Sequence, residues 1–255
     1  MISPELIEIF NRAARLAREG KLEESLAEYN KIIDPSMEEK KDRKVVLTGE
    51  FLGVAMMRKA WVLMDMKRYK DAKKVFEDKI MDACLGQFEL ATLYEYFFSY
   101  ANALGELGDI KGMDDKYSRA LGIAAKELGD EARCFQCWTN LLTYAFKAQA
   151  WEYLELESAT AKVYAENVED QVLKVKAGWH HIVALMKLNK YPEAMEEADV
   201  MLTYLREVGA DEALKDIEEM IEEMKKKDRS CPTVSDEKKP DIKTERKDRS
   251  KKKMA

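Results

Sequence analysis

Imidazole is almost absent from this chain, which carries only two histidines, His180 and His181, side by side. General acid–base work and metal ligation draw on histidine more than on any other side chain, so both have little to build on here. There is no glycine-rich phosphate loop, no His-Glu-x-x-His and no serine nucleophile on a strand–helix elbow, and the expectation is a chain without catalytic residues, cofactor or metal. Eleven glycines and five prolines in 255 residues argue against a β-rich or loop-rich fold. Four cysteines, Cys84, Cys134, Cys137 and Cys231, suit a reducing compartment better than a disulfide framework. Cys134-x2-Cys137 could join His180 and His181 as four zinc ligands, but a lone thiol pair inside a helical pattern reads first as two small core residues. No apolar run approaches the roughly 20 residues of a membrane span. Met1-Ile2-Ser3-Pro4 leads directly into a helical pattern without a basic start or an apolar leader, so the expected location is the cytoplasm.

Charge is plentiful and unevenly placed. Charged residues make up 36% of the chain and the net charge is −6. From Lys225 to Ala255 there are 13 Lys or Arg against 6 Asp or Glu, so the rest of the chain is strongly acidic. An acidic body repels phosphate backbones and is a poor nucleic-acid partner, whereas the basic tail could contact an anionic surface.

The strongest pattern is a repeat. Phe97-x2-Tyr100-Ala101-x2-Leu104 places apolar and small residues on one helical stripe, Gly108-Asp109 breaks it, and Met113, Tyr117 and Ala120 take it up again. The same helix–turn–helix grammar recurs. Ile9, Ala13 and Leu16 are answered after Gly20 by Ser25, Leu26, Tyr29 and Ile32, up to Pro35. Met56, Ala60 and Leu63 are answered by Ala72, Phe76 and Ile80. Trp138, Leu141, Leu142 and Ala145 precede Leu154, Ser158 and Ala161, and Ile182 and Leu185 precede Ala194, Ala198 and Met201. The bulky residues just past each turn, Leu22, Tyr69, Ile110, Trp151 and Tyr191, are 47, 41, 41 and 40 residues apart. Ser3 and Pro4 open the first helix, with Ile2 and Ile7 as a candidate hydrophobic staple. The charged stretch Glu38–Lys44 extends the first inter-unit connection or starts the next helix.

Ala60, Leu63, Ala72 and Phe76, and again Ala101, Leu104, Tyr117 and Ala120, resemble the small-and-aromatic pattern of tetratricopeptide repeats. The family period is about 34 residues, so units near 41 are similar to its longer-helix branch. Ser158 and Gly178 stand where that pattern has aromatics. The resemblance, over about residues 3 to 205, implies an all-α, right-handed superhelical solenoid of about five helix pairs. Beyond them Asp211 can cap a last helix with Leu214, Ile217, Ile221 and Met224 inward. The expected organisation is a repeat domain over 1–227, with the capping helix at 211–227, and a basic disordered tail over 228–255.

The resemblance also implies a use. The first helix of each unit lines a concave groove that holds an extended peptide or a partner helix. One row off the packing stripe lie Met57, Arg58, Trp61 and Asp65; Glu95, Phe98, Ser99, Asn102 and Glu106; Gln136, Thr139, Asn140, Thr143 and Lys147; and Lys176, Trp179, His180, Val183 and Lys187. Asn102 and Asn140 lead the expected partner contacts, because a carboxamide both donates to and accepts from a peptide backbone. Some family members grip the C-terminal carboxylates of heat-shock chaperones with Lys and Asn, then Asn, then Lys and Arg. Phe98 and Asn102, Asn140, and Lys176 and His180 match that set in three places of five. The reading is a non-catalytic adaptor or regulator; the alternative is an assembly subunit that self-associates through its ends or convex face.

Overall fold

The structure is a computed structural model that describes residues 2–33 and 49–228. Pro35, the Glu38–Lys44 stretch, Cys231 and the tail beyond Asp228 lie outside the described residues. Within them the chain is helical and has no strand. The helices are α1 (Pro4–Arg18), α2 (Leu22–Ile33), α3 (Gly49–Asp65), α4 (Tyr69–Phe76), α5 (Lys79–Leu85), α6 (Leu90–Glu106) and α7 (Ile110–Gly122). A π-helical segment, Ile123–Leu128, then leads to α8 (Glu131–Lys147), α9 (Trp151–Asn167), α10 (Gln171–Lys187), α11 (Tyr191–Val208) and α12 (Asp211–Asp228).

Each second helix begins on one of the bulky residues whose spacing set the repeat: Leu22, Tyr69, Ile110, Trp151 and Tyr191. Two residues earlier stands one residue in the left-handed region, Gly20, Lys67, Gly108, Gln149 or Asn189, with φ between 56° and 76°. The N–H that follows it reaches back five residues to a carbonyl: Lys21 to Leu16, Arg68 to Leu63, Asp109 to Leu104, Ala150 to Ala145 and Lys190 to Leu185. This closure satisfies carbonyls that a helix end leaves without partners, and it turns the chain back on itself. Only two of these residues are glycine, so the turn geometry is held mainly by the packing on either side.

That packing follows the repeat. Apart from α5 and α6, each helix packs on its successor, and the first helices also meet along the stack. Ala13, Ala60 and Ala101 are fully buried, as are Ser25 and Ala72 in the answering helices, where backbones come close. The Ser25 hydroxyl donates to the Ala13 carbonyl at 2.8 Å. Tyr29, Phe76 and Tyr117 occupy the same position, seven residues after each second helix begins, and all are buried. The two departures from the repeat pattern have visible replacements. Ser158 leaves room for His181 of the next helix, whose Nδ1 lies 3.1 Å from its hydroxyl. A Cβ on Gly178 would lie 1.9 Å from the Met201 methyl, so Met201 fills the space where an aromatic would stand. In α12, Ile217, Ile221 and Met224 are buried and the intervening acidic residues are exposed.

Three local expectations are corrected. Ile80 is not in the second helix of its unit: α4 stops at Phe76, and the Asp78 carboxylate accepts from the Ile80 N–H at 2.8 Å to start the separate α5. Ile80 is consequently exposed. Ile7 is also exposed and cannot complete a staple, although Ser3 does cap α1 through the Leu6 N–H. Asp211 is the first residue of α12 rather than the residue before it.

A close approach sets the distance between α6 and α8, where a Cβ on Gly105 would lie 2.5 Å from the Tyr144 ring. An aromatic ring anchored by its neighbours cannot step aside as a methionine tip can. Gly105→Ala is therefore expected to lose about 1–2 kcal/mol, overpacking outweighing the better helix propensity of alanine. Urea unfolding monitored by circular dichroism checks this.

Candidate groove between the first helices

The backbones of α1, α3, α6, α8, α10 and α12 approach one another in succession, and no two second helices do so to the same extent. Helices on the inner side of a curved stack crowd and those on the outer side splay, so the first helices form the inner wall. All nine residues expected to contact a partner lie on these helices and keep part of their surface exposed. Met57, Ser99 and Val183 of the same rows do not: they are buried between helices, a correction to their expected place in the groove.

The wall is tied together by the side chains expected to meet a ligand. On α3 the Arg58 guanidinium lies 4.3 Å from the Trp61 ring centroid. The Trp61 indole N–H donates to the Ser99 hydroxyl of α6 at 2.7 Å. Phe98 stacks on Tyr94 at 5.5 Å and meets the edge of Tyr117. Asn102 Oδ1 accepts both the Tyr117 hydroxyl and, at 3.0 Å, the Asn140 amide of α8. The carboxamides thus join two units through one oxygen. Asn102 Nδ2 and Asn140 Oδ1 have no hydrogen bond among the described residues. Thr143 turns its hydroxyl to the Thr139 carbonyl. Lys176 extends over Phe135 at 5.3 Å, and Trp179 and His180 pack on Phe146, again linking α8 to α10. The row is continuous from Trp61 to His180.

A cavity opens at the other end of this row. It has a volume of about 470 Å³ and lies between α1, α2 and α3, lined by Phe10, Arg18, Tyr29, Arg58, Trp61 and Asp65 with three smaller apolar residues. Sequence reasoning reached the α3 side of it but missed Phe10 and Arg18. Their place one row off the Ile9–Ala13–Leu16 stripe was the available signal, and the groove rows were aligned only from the second unit onward. A second depression of about 400 Å³ lies where Phe146, Lys147, Gln149, Trp151 and Lys187 meet.

Cys134, Cys137 and the two imidazoles already have partners. Cys134 and Cys137 are buried, and burial pushes the Cys137 thiol up to about 12. Its S–H points to the Tyr94 hydroxyl at 3.7 Å. His180 Nδ1 lies 2.8 Å from the Lys176 carbonyl and His181 Nδ1 lies 3.1 Å from that of Glu155. Among the described residues no three His, Cys, Asp or Glu side chains come together as a metal site.

Two solved structures from Podosopora anserina, of nearly identical TPR-like repeats attributed to a kinesin light chain, superpose on this chain. One does so with a TM-score of 0.56 at 14% identity, over 86% of this chain and 97% of that one. A variant of it gives 0.55 at 13% identity, over 81% and 97%. The fold is that of a tetratricopeptide-type repeat. No family profile matches the sequence, and no curated protein matches it. The likeness is therefore one of TPR-like architecture.

Two measurements follow from the geometry. Tyr117 is fully buried, so Asn102→Ala strands its hydroxyl and is expected to cost about 1–3 kcal/mol. Adding Tyr117→Phe to Asn102→Ala should recover most of that loss, read from urea midpoints of the two variants. Burial lowers the pKa of both His180 and His181 from 6.5, Glu197 and the Glu155 carbonyl opposing it at His181. Below that value the unfolded chain binds protons that the folded one refuses, so stability falls as the pH drops from about 7 toward 5.5. Burial raises Glu95 and Glu157 above 4.5, with the opposite sign: the folded chain holds those protons longer, and their contribution to stability falls as pH rises above 4.5. His181→Gln should flatten the histidine part of a Tm-against-pH profile.

Proposed function

We propose that this chain is a non-catalytic interaction module, an adaptor or regulator, that holds a peptide or helical segment of another protein against its first helices. One observation carries the reading. A continuous row of partly exposed aromatic, amide and basic side chains runs from Trp61 to His180, and its members are positioned by bonds between units rather than left to move. Such pre-ordering reduces the entropy lost when a ligand docks. The unused amide groups of Asn102 and Asn140 suit a main chain, and Phe98, Trp179 and Arg58 suit the side chains it carries. The site as proposed comprises Arg58, Trp61, Phe98, Asn102, Asn140, Thr143, Lys176, Trp179 and His180. No helix among the described residues is long and apolar enough to cross a membrane, and the proposed setting is the cytoplasm.

A second reading has its own support. Leu156 and Val163 of α9 and Val200 of α11 are each about 60% exposed. The Lys162–Glu197 ion pair joins the two helices, and these three exposed apolar residues are outer side chains through which copies could assemble.

Capture of partners from native extract separates the two. Trp179→Ala, changed on the inner wall, is expected to lose most captured protein, while Leu156→Ser and Val200→Ser are neutral and the chain sediments as one species. Concentration-dependent sedimentation abolished by Leu156→Ser would support assembly instead.

A further inference from the structure

Eight arginines lie among the described residues. Six of them, Arg12, Arg15, Arg68, Arg119, Arg133 and Arg206, reach a carboxylate. The other two are Arg18 and Arg58, and both line the 470 Å³ cavity between α1 and α3. Arg18 makes one long contact, 3.4 Å, to the Ala14 carbonyl of its own helix, and Arg58 lies over Trp61. Asp65 lines the same cavity without coming within ion-pair reach of either. Tyr29 is 1% exposed and forms part of the lining, and its hydroxyl has no hydrogen bond among the described residues. Both guanidiniums act on that hydroxyl, opposing the effect of burial. An acidic chain that pairs its other arginines yet leaves two facing one apolar cavity has left a place for an anion.

We infer that this cavity seats an acidic side chain, Asp or Glu, of the partner peptide together with the bulky apolar residue next to it. The inference rests on the groove reading and names the chemistry at the groove's first end. Asp65 lines the cavity and Arg58 also acts on Glu95, so the positive excess beside the two guanidiniums is small and suits the single charge of a carboxylate better than a phosphate dianion. Phe10, Tyr29 and Trp61 supply the apolar side, and a cavity of this volume accommodates one large side chain beside the carboxylate. The chain's own residues 229–255 carry a net positive charge, which the two guanidiniums disfavour as occupant. Trp61 belongs both to this cavity and to the row that continues through Ser99, so a peptide anchored here extends along the inner wall. The site shares no residue with the Phe98, Asn102, Asn140, Lys176 and His180 set further along.

The test begins with selection from a random dodecapeptide library on the immobilised full chain, followed by fluorescence anisotropy with the selected peptides. The expected consensus pairs Asp or Glu with Leu, Ile, Phe or Trp. Arg18→Gln with Arg58→Gln should weaken binding about tenfold or more, with helicity and melting unchanged because both side chains are on the surface. Changing the peptide's acid to its amide should lose a similar factor on the native chain and little more on the double variant. Selected peptides that lack an acidic residue, or that bind the double variant as tightly as the native chain, overturn the inference. If those peptides are lost on Trp179→Ala, the groove reading stands while this seat falls; if no peptide is selected at all, both fall. Self-association of the chain that Arg58→Gln abolishes would give the cavity to a second copy and would also overturn it.

Discussion

The hydrogen bond from the residue after each left-handed position back to a carbonyl five residues earlier is the constraint on which this molecule depends. It ends the first helix of a pair, satisfies carbonyls that would otherwise be lost, and fixes where the second helix begins. Because the same closure occurs at Gly20, Lys67, Gly108, Gln149 and Asn189, each pair presents nearly the same apolar stripe to the next. No single pair can bury that stripe alone. Stacking does so, and the stack is consequently a sequence of neighbour interfaces rather than one central core.

The inner wall is where this economy of repetition is broken. On the outside, second helices are joined through side chains such as Lys162 to Glu197. On the inside, backbones are close enough that glycine is required at Gly105, and polar groups are drawn into bonds between units. The Tyr117–Asn102–Asn140 junction serves the fold and the surface together, since Asn102 Oδ1 and Asn140 Nδ2 are used between units while Asn102 Nδ2 and Asn140 Oδ1 have no hydrogen bond among the described residues. A wall ordered in this way would need little rearrangement to hold the partner proposed for it.

The two ends of the wall differ in chemistry. Toward α10 the side chains are aromatic and amide-rich, with Lys176 over Phe135 and His180 tied to the Lys176 carbonyl. Toward α1 the wall opens into a cavity flanked by two arginines without carboxylate partners among the described residues. That asymmetry would give the proposed bound segment a direction.

Much of the fold was legible in the order of residues. The spacing of Leu22, Tyr69, Ile110, Trp151 and Tyr191 located the start of every second helix, because apolar periodicity and turn chemistry are local properties. Ile80 was assigned to the wrong helix because Asp78 acts as a cap only once the chain has turned, and an isolated apolar residue carries no sign of which helix holds it. The groove rows were found by helical register alone, and register cannot see neighbours. It therefore gave Ser99 a ligand's role, where the tertiary structure makes it the acceptor for Trp61, and it left out Phe10 and Arg18, which reach the cavity only when α1 packs on α3. The sequence alone determined the paired helices, though not the separate α5, and the acidic character of the body, each set by residues near one another in the chain. Only the stacked structure decided which polar side chains were used up between units and which two arginines were left facing an open cavity, because those outcomes depend on distances between residues about 40 positions apart.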